Sequence, residues 1–167
     1  ADEVAALGHN YVTTTTPATG KEPGKVVTKC SRCGDIKSTT TVDYAKDVTL
    51  AVTSYTYNGS KKKPAVSVTD SKGKLISSSY YSVTYSNNLN VGQAKVLVTM
   101  KGKYSGTFTR YFMIKPKPTL IKSMSGLTRG IRINWKKQTT QITGYEIYYS
   151  TSSSFSSNST KKVTLTK

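Results

Sequence analysis

Apolar residues recur at every second position along much of the chain. Val48, Leu50 and Val52 alternate with Thr49, Ala51 and Thr53, the period of a strand with one buried and one wet face. Val66 and Val68 repeat the pattern, as do Tyr81, Val83 and Tyr85, and then Val96, Val98 and Met100. Phe108, Phe112 and Ile114 share a face that Arg110 interrupts. Between these runs lie turn sequences: Asn58-Gly59, Asp70-Ser71-Lys72-Gly73, Ser86-Asn87-Asn88-Leu89-Asn90 and Lys101-Gly102-Lys103. Six or seven short strands at roughly ten-residue spacing predict a β-sandwich over residues 46–116.

The pattern changes on either side. Residues 1–45 are polar and Thr-rich, and only Val26-Val27-Thr28 and Ser38 to Val42 read as strands. These flank Cys30-Ser31-Arg32-Cys33-Gly34 and predict a small β-ribbon with a Cys-knuckle turn, too poor in apolar residues to hold a core of its own. In residues 117–167, Ile131, Ile133 and Trp135 alternate with polar positions, as do Tyr145, Ile147 and Tyr149. Val163-Thr164-Leu165 adds a further strand after a Ser-rich loop around Phe155. With the strand that opens at Leu120-Ile121 before the Arg129-Gly130 turn, four strands make half a sandwich with an open core. Either the domain continues past Lys167 or another copy completes it. The short, stiff Lys115-Pro116-Lys117-Pro118 segment separates this part from the middle one.

Composition fits the same picture. The 167 residues include 26 Thr, 21 Ser and 12 Tyr but only eight Leu and three Glu. Strands favour β-branched and aromatic residues, whereas helices favour Leu, Glu and Ala. The fold class expected is therefore all-β. No stretch approaches the ~20 apolar residues of a membrane-spanning helix. Two cysteines make no disulfide framework, so stability is expected from burial within each module.

The inventory of reactive groups is short. The single histidine, His9, sits in the thinly patterned first segment, so a Ser or Cys nucleophile has no evident base. The eight acids are scattered, with no pair at close spacing on one strand face. No enzymatic activity is expected. Cys-x-x-Cys-Gly is the turn by which two thiolates converge on one zinc ion, the glycine permitting the tight bend. Cys30 and Cys33 would supply two ligands, His9 a third, and Asp35 or Asp43 a weak fourth. A Cys30–Cys33 disulfide or a pair of free thiols are the alternatives.

The formal charge is +17, from 25 Lys and Arg against eight acids. Only four of those cations are Arg, and the Lys residues are spread over every segment. Base and phosphate recognition favours Arg forks, so no nucleic-acid partner is expected. Solvated lysines that keep strand edges apart, or an affinity for anionic wall polymers and acidic glycans, account for the charge better. Exposed aromatic rings are the handle for sugars. Trp135, Tyr145 and Tyr149 are expected to point inward and Tyr148 outward. Since Tyr80 and Tyr81 are neighbours on a predicted strand, one of them is expected to face solvent. Tyr57, Tyr80 and Tyr111 are the candidates for a sugar platform, and Tyr148 is a further candidate for ligand binding. A Lys–Asn or Thr–Gln cross-link needs a buried acid, and in the middle segment only Asp47 and Asp70, both placed near turns, are on offer.

The residues also carry a resemblance. The middle segment, through Tyr55-Thr56-Tyr57-Asn58-Gly59, Tyr81 to Asn88, Asn90-Val91-Gly92, Lys103-Tyr104-Ser105-Gly106 and Phe112-Met113-Ile114, resembles the Ig-like repeats of large secreted and cell-surface proteins of Gram-positive gut anaerobes. Ile133-Asn134-Trp135 and Gly144 to Ser150 resemble the first half of a fibronectin type III domain. The first segment resembles small Cys-x-x-Cys-Gly modules that often precede such repeats. Those modules often carry another cysteine before the knuckle, where this chain has Thr16-Pro17-Ala18-Thr19-Gly20. The resemblance implies an extracellular, cell-surface or secreted, non-catalytic module. It would space or display neighbouring modules of a parent chain and adhere to polysaccharide or cell-wall polymer. A starch-like plant or dietary polysaccharide bound by exposed tyrosines, or a strand-exchanged surface assembly, are the alternatives.

Overall fold

A computed structural model describes residues 8–166. The fold is all-β and sandwich-like, with one 3-10 turn at Ser78–Tyr80. Among the described residues no helix is long and apolar enough to cross a membrane. The chain divides into two compact units. The first takes residues up to 53, 62–88 and 93–112, and the second takes 54–61, 89–92 and 113 onward.

In the first unit, β1 (Tyr11–Thr16), β2 (Gly24–Cys30) and β3 (Ile36–Val42) form an antiparallel sheet in the order β1-β2-β3. β2 and β3 coincide with the two strands expected around the knuckle. β1 was not expected, because Tyr11-Val12-Thr13-Thr14-Thr15-Thr16 offers no apolar alternation. Instead it pairs by β-branched residues on an open sheet, and Thr13 meets Thr28 across the strands at 3.0 Å.

The ribbon leans on the sandwich through one small residue. Ala18 is 1% exposed. Its N–H donates to the Lys103 carbonyl at 2.9 Å, and its carbonyl accepts from the Ser105 N–H at 2.8 Å. Gly24 makes that crossing possible: a Cβ there would lie 2.4 Å from the Ala18 nitrogen and 2.5 Å from the Thr16 oxygen.

β4 (Ala45–Leu50) pairs with β6 (Val66–Asp70), setting Val48 opposite Val68. β7 (Tyr81–Ser86) pairs with β8 (Gly92–Met100), and β8 neighbours β9 (Thr107–Lys115). The β8 stripe is the core, with Ala94, Val96, Val98 and Met100 all buried together with Val48, Val68, Ile76 and Phe112. Val52 falls beyond the end of β4 and is exposed, so the alternation that includes it outruns the strand.

Polar atoms close what the apolar side chains leave open. From β7, the Tyr85 hydroxyl donates to the Pro64 carbonyl at 2.7 Å and the Tyr81 hydroxyl to the Val66 carbonyl at 3.2 Å. Tyr80 lies in the 3-10 turn rather than on the strand, so Tyr80 and Tyr81 do not alternate and both are half-buried. Arg110 shares the inward face of β9, and its Nε donates to the Val48 carbonyl at 2.7 Å. Its Nη2 bonds Asp47 Oδ1 at 2.7 Å, and that same oxygen accepts the Val48 N–H. Asp47 thus sits within β4 rather than near a turn.

In the second unit, β5 (Ser54–Thr56) runs parallel to the end of β9, with Tyr55 opposite Ile114. β10 (Ile121–Leu127) and β11 (Gly130–Trp135) form one hairpin, and β12 (Gly144–Ser150) and β13 (Thr160–Thr166) another. The expected inward stripe lies open. Trp135 and Tyr145 are half-buried and edge-on to each other at 5.3 Å, but Ile131 is 61% exposed and Tyr149 is exposed. Each of these sheets has only two strands, and side chains of both hairpins line a partly open cleft rather than a closed core.

Two outcomes test this packing. Phe112→Ala should cost about 3–5 kcal/mol in urea unfolding, whereas Ile131→Ala should change stability by no more than about 0.5 kcal/mol. The Arg110 guanidinium, with the Val48 N–H, holds the Asp47 carboxyl below the usual carboxylate range. Its stabilisation is therefore full above about pH 4 and lost as pH falls through the lower folded value. Asp47→Asn should be less stable than the parent at pH 7, and acid titration should narrow that gap below about pH 4.

Candidate metal centre

The turn between β2 and β3 is built by its backbone. The Cys30 N–H donates to the Asp35 carbonyl at 2.7 Å, and the Gly34 N–H returns to the Cys30 carbonyl at 3.0 Å. Gly34 has φ +80°, the left-handed conformation that a side chain disfavours. The bend turns the backbone N–H groups of Cys33 and Arg32 toward the Cys30 sulfur. These two, Cys33 first, lower the Cys30 thiol pKa to about 6. Cys30 is 1% exposed, while Cys33 lies at the surface.

His9 is delivered by the segment entering β1. The Ser31 N–H donates to the Asn10 carbonyl at 2.9 Å, the Asn10 amide donates to Ser31 Oγ at 3.1 Å, and Arg32 bonds the Gly8 carbonyl. Residues on both sides of His9 are therefore tied to the knuckle. The Tyr11 ring stacks on the imidazole at 5.1 Å. His9 Nδ1 lies 3.3 Å from Cys33 Sγ, and the donor atoms of His9, Cys30 and Cys33 are all within 4.8 Å of one another. With metal–sulfur bonds of about 2.3 Å and metal–nitrogen bonds of about 2.0 Å, the edges of a tetrahedron come to about 3.5–3.8 Å. The three side chains are close enough to hold one metal ion.

Both cysteines are free thiols, with no disulfide between them. Neither aspartate considered as a fourth ligand joins the cluster. Asp35 accepts the Tyr11 hydroxyl at 2.8 Å, which pushes the Tyr11 pKa up to about 12. Asp43 follows β3, a seven-residue strand away from the knuckle, and pairs with Lys72 at 3.0 Å.

The candidate tyrosines lie in different settings. Tyr80 and Tyr111 belong to the first unit, Tyr57 and Tyr148 to the second. Tyr80 packs edge-on against buried Tyr104 at 5.5 Å, with the Lys103 ammonium 4.9 Å above its ring. Tyr111 stands exposed on β9. Tyr57 is half-buried, its N–H bonded to the Lys115 carbonyl at 2.8 Å. Tyr148 is exposed on β12 and donates its hydroxyl to Glu146 at 2.9 Å. The second unit holds a cleft of about 520 Å³, lined by Trp135, Tyr145, Tyr149 and Phe155 among others, which was not among the candidate sites. Its sign in the sequence was the small number of strands available to cover so many aromatics.

Comparison with protein-family models, curated proteins and solved structures gives no significant match. The metal cluster is defined by its geometry alone.

Thiol chemistry follows exposure. Ellman's reagent should label two thiols in the native chain in two phases, the faster removed by Cys33→Ser. A Cys30–Cys33 disulfide would leave no thiol to label.

Proposed function

We propose that the chain is a non-catalytic extracellular module of a bacterial surface or secreted protein, which spaces or displays neighbouring modules. The observation that carries this reading is how the acids are employed. Asp47 holds Arg110, Asp43 holds Lys72, Glu146 holds Lys162, and Asp35 holds the Tyr11 hydroxyl. Asp70, buried, caps its own turn by accepting the N–H groups of Lys72 and Lys74. Carboxylates that would supply acid–base chemistry are used to hold strands and turns.

In this reading zinc is the ion held at His9, Cys30 and Cys33, and its role is structural. Two thiolates and an imidazole suit zinc better than the hard cations. The clamp would fasten the segment before β1 to the β2–β3 turn, in a ribbon that has little apolar burial of its own. The lysine surplus would keep the module soluble and give a charge-dependent affinity for anionic wall polymers.

A second reading, a carbohydrate-binding module, is favoured by the aromatic lining of the second unit's cleft, where Trp135 and Tyr149 present partly exposed rings.

Retention on starch, cellulose, xylan, mucin and purified cell wall at low and high salt separates these readings. The spacer reading expects no retention on neutral polymers, and retention on anionic material that disappears at about 0.5 M salt. Salt-resistant retention on one neutral polysaccharide, lost in Trp135→Ala, would establish the carbohydrate-binding reading instead. For the metal, the purified chain should carry one zinc per molecule and lose it in Cys30→Ser.

A further inference from the structure

The zinc reading leaves a coordination position to be filled. We infer that the metal centre is open: His9, Cys30 and Cys33 take three positions, and the fourth accepts one thiolate from outside the chain. This inference rests on the zinc reading above.

Three observations support it. First, among the described residues no further His, Cys, Asp or Glu joins the cluster. The nearest acid in the turn, Asp35, has its carboxylate engaged by the Tyr11 hydroxyl and its carbonyl by the Cys30 N–H. A closed structural site would need four ligands from the protein, whereas three ligands and one exchangeable position are the arrangement of sites that bind something else.

Second, the cluster has a closed side and an open side. Cys30 is buried at the back, its sulfur facing backbone N–H groups, while His9 and Cys33 are both exposed. The side that His9 and Cys33 present to solvent is the one from which a further donor would approach.

Third, the surroundings select the donor. Lys29 and Arg32 belong to the knuckle, and the Lys37 ammonium sits 5.1 Å from the centroid of the Tyr11 ring that stacks on His9. Zinc with two thiolates and a neutral imidazole carries no net charge, so these cations favour an anionic fourth ligand over a neutral one. A soft thiolate satisfies both the metal and the field. Binding exchanges a water on the metal for the thiolate, and the thiol's proton goes to solvent.

The test uses the full chain loaded with Co²⁺ in place of zinc, with a small monothiol as probe. Thiolate-to-cobalt charge-transfer absorption should rise by about half as the thiolate count goes from two to three. The rise should saturate at one thiol per metal, and imidazole should bind more weakly. If Co²⁺ binds with a tetrahedral spectrum that the thiol leaves unchanged, the chain itself fills the fourth position: this inference fails and the zinc reading survives. Cobalt recovered in an ultrafiltrate after thiol addition would also overturn it, because the thiol would be stripping the metal rather than joining it. If neither Co²⁺ nor Zn²⁺ binds while both thiols remain free, the zinc reading fails and this inference with it.

Discussion

A sandwich with so few large aliphatic residues has to satisfy its backbone at the rim as well as fill its centre. Val and Ala on β8 make a thin core, and although Lys74–Ile76 bonds along the outer edge of β6, β4 has no second strand beside it. An unpaired buried carbonyl costs as much as a lost hydrogen bond. The structure meets this with long polar side chains that cross between the layers. Tyr81 and Tyr85 lay their rings on the core and spend their hydroxyls on the Val66 and Pro64 carbonyls. Arg110 reaches the Val48 carbonyl, and Asp47 neutralises the guanidinium while taking the Val48 N–H. The same contacts finish the free edge of β4, a place where another chain could otherwise add a strand.

The N-terminal ribbon follows a different logic. Its strands are Thr-rich and mostly exposed, so burial contributes little there. It is held at two ends, by Ala18 against the loop before β9 and by the contacts gathered around the knuckle. Between them the ladder hydrogen bonds and Thr pairs are enough, because neither end is free to fray.

The sequence made the strands legible wherever one face is buried, because alternation is then enforced by solvent. The runs at Val66, Tyr81 and Val96 each became a strand. β1 was hidden because both of its faces are polar, which leaves the pattern silent. Arg110 looked like an interruption because its partner, Asp47, lies 63 residues away in the chain. The metal cluster was half visible: Cys-x-x-Cys-Gly announces its turn, but nothing local says that His9 will return to it. That depends on the register of β1 with β2, which pairs Tyr11 with Cys30. The candidate tyrosines were legible only in part for a related reason. Alternation says which face a tyrosine occupies, not whether a neighbour such as Tyr104 has already claimed its ring.

The carboxylates tied into pairs and turns have a consequence for the molecule as a colloid. Lysines and arginines outnumber acids by 25 to eight, and the acids tied into these contacts are already matched to partners of their own. The chain therefore behaves as a polycation with a counterion cloud. Its long-range attraction to an acidic surface is set by the ionic strength around it. Whatever acidic surface such a charge surplus meets, its hold would loosen where the medium turns salty.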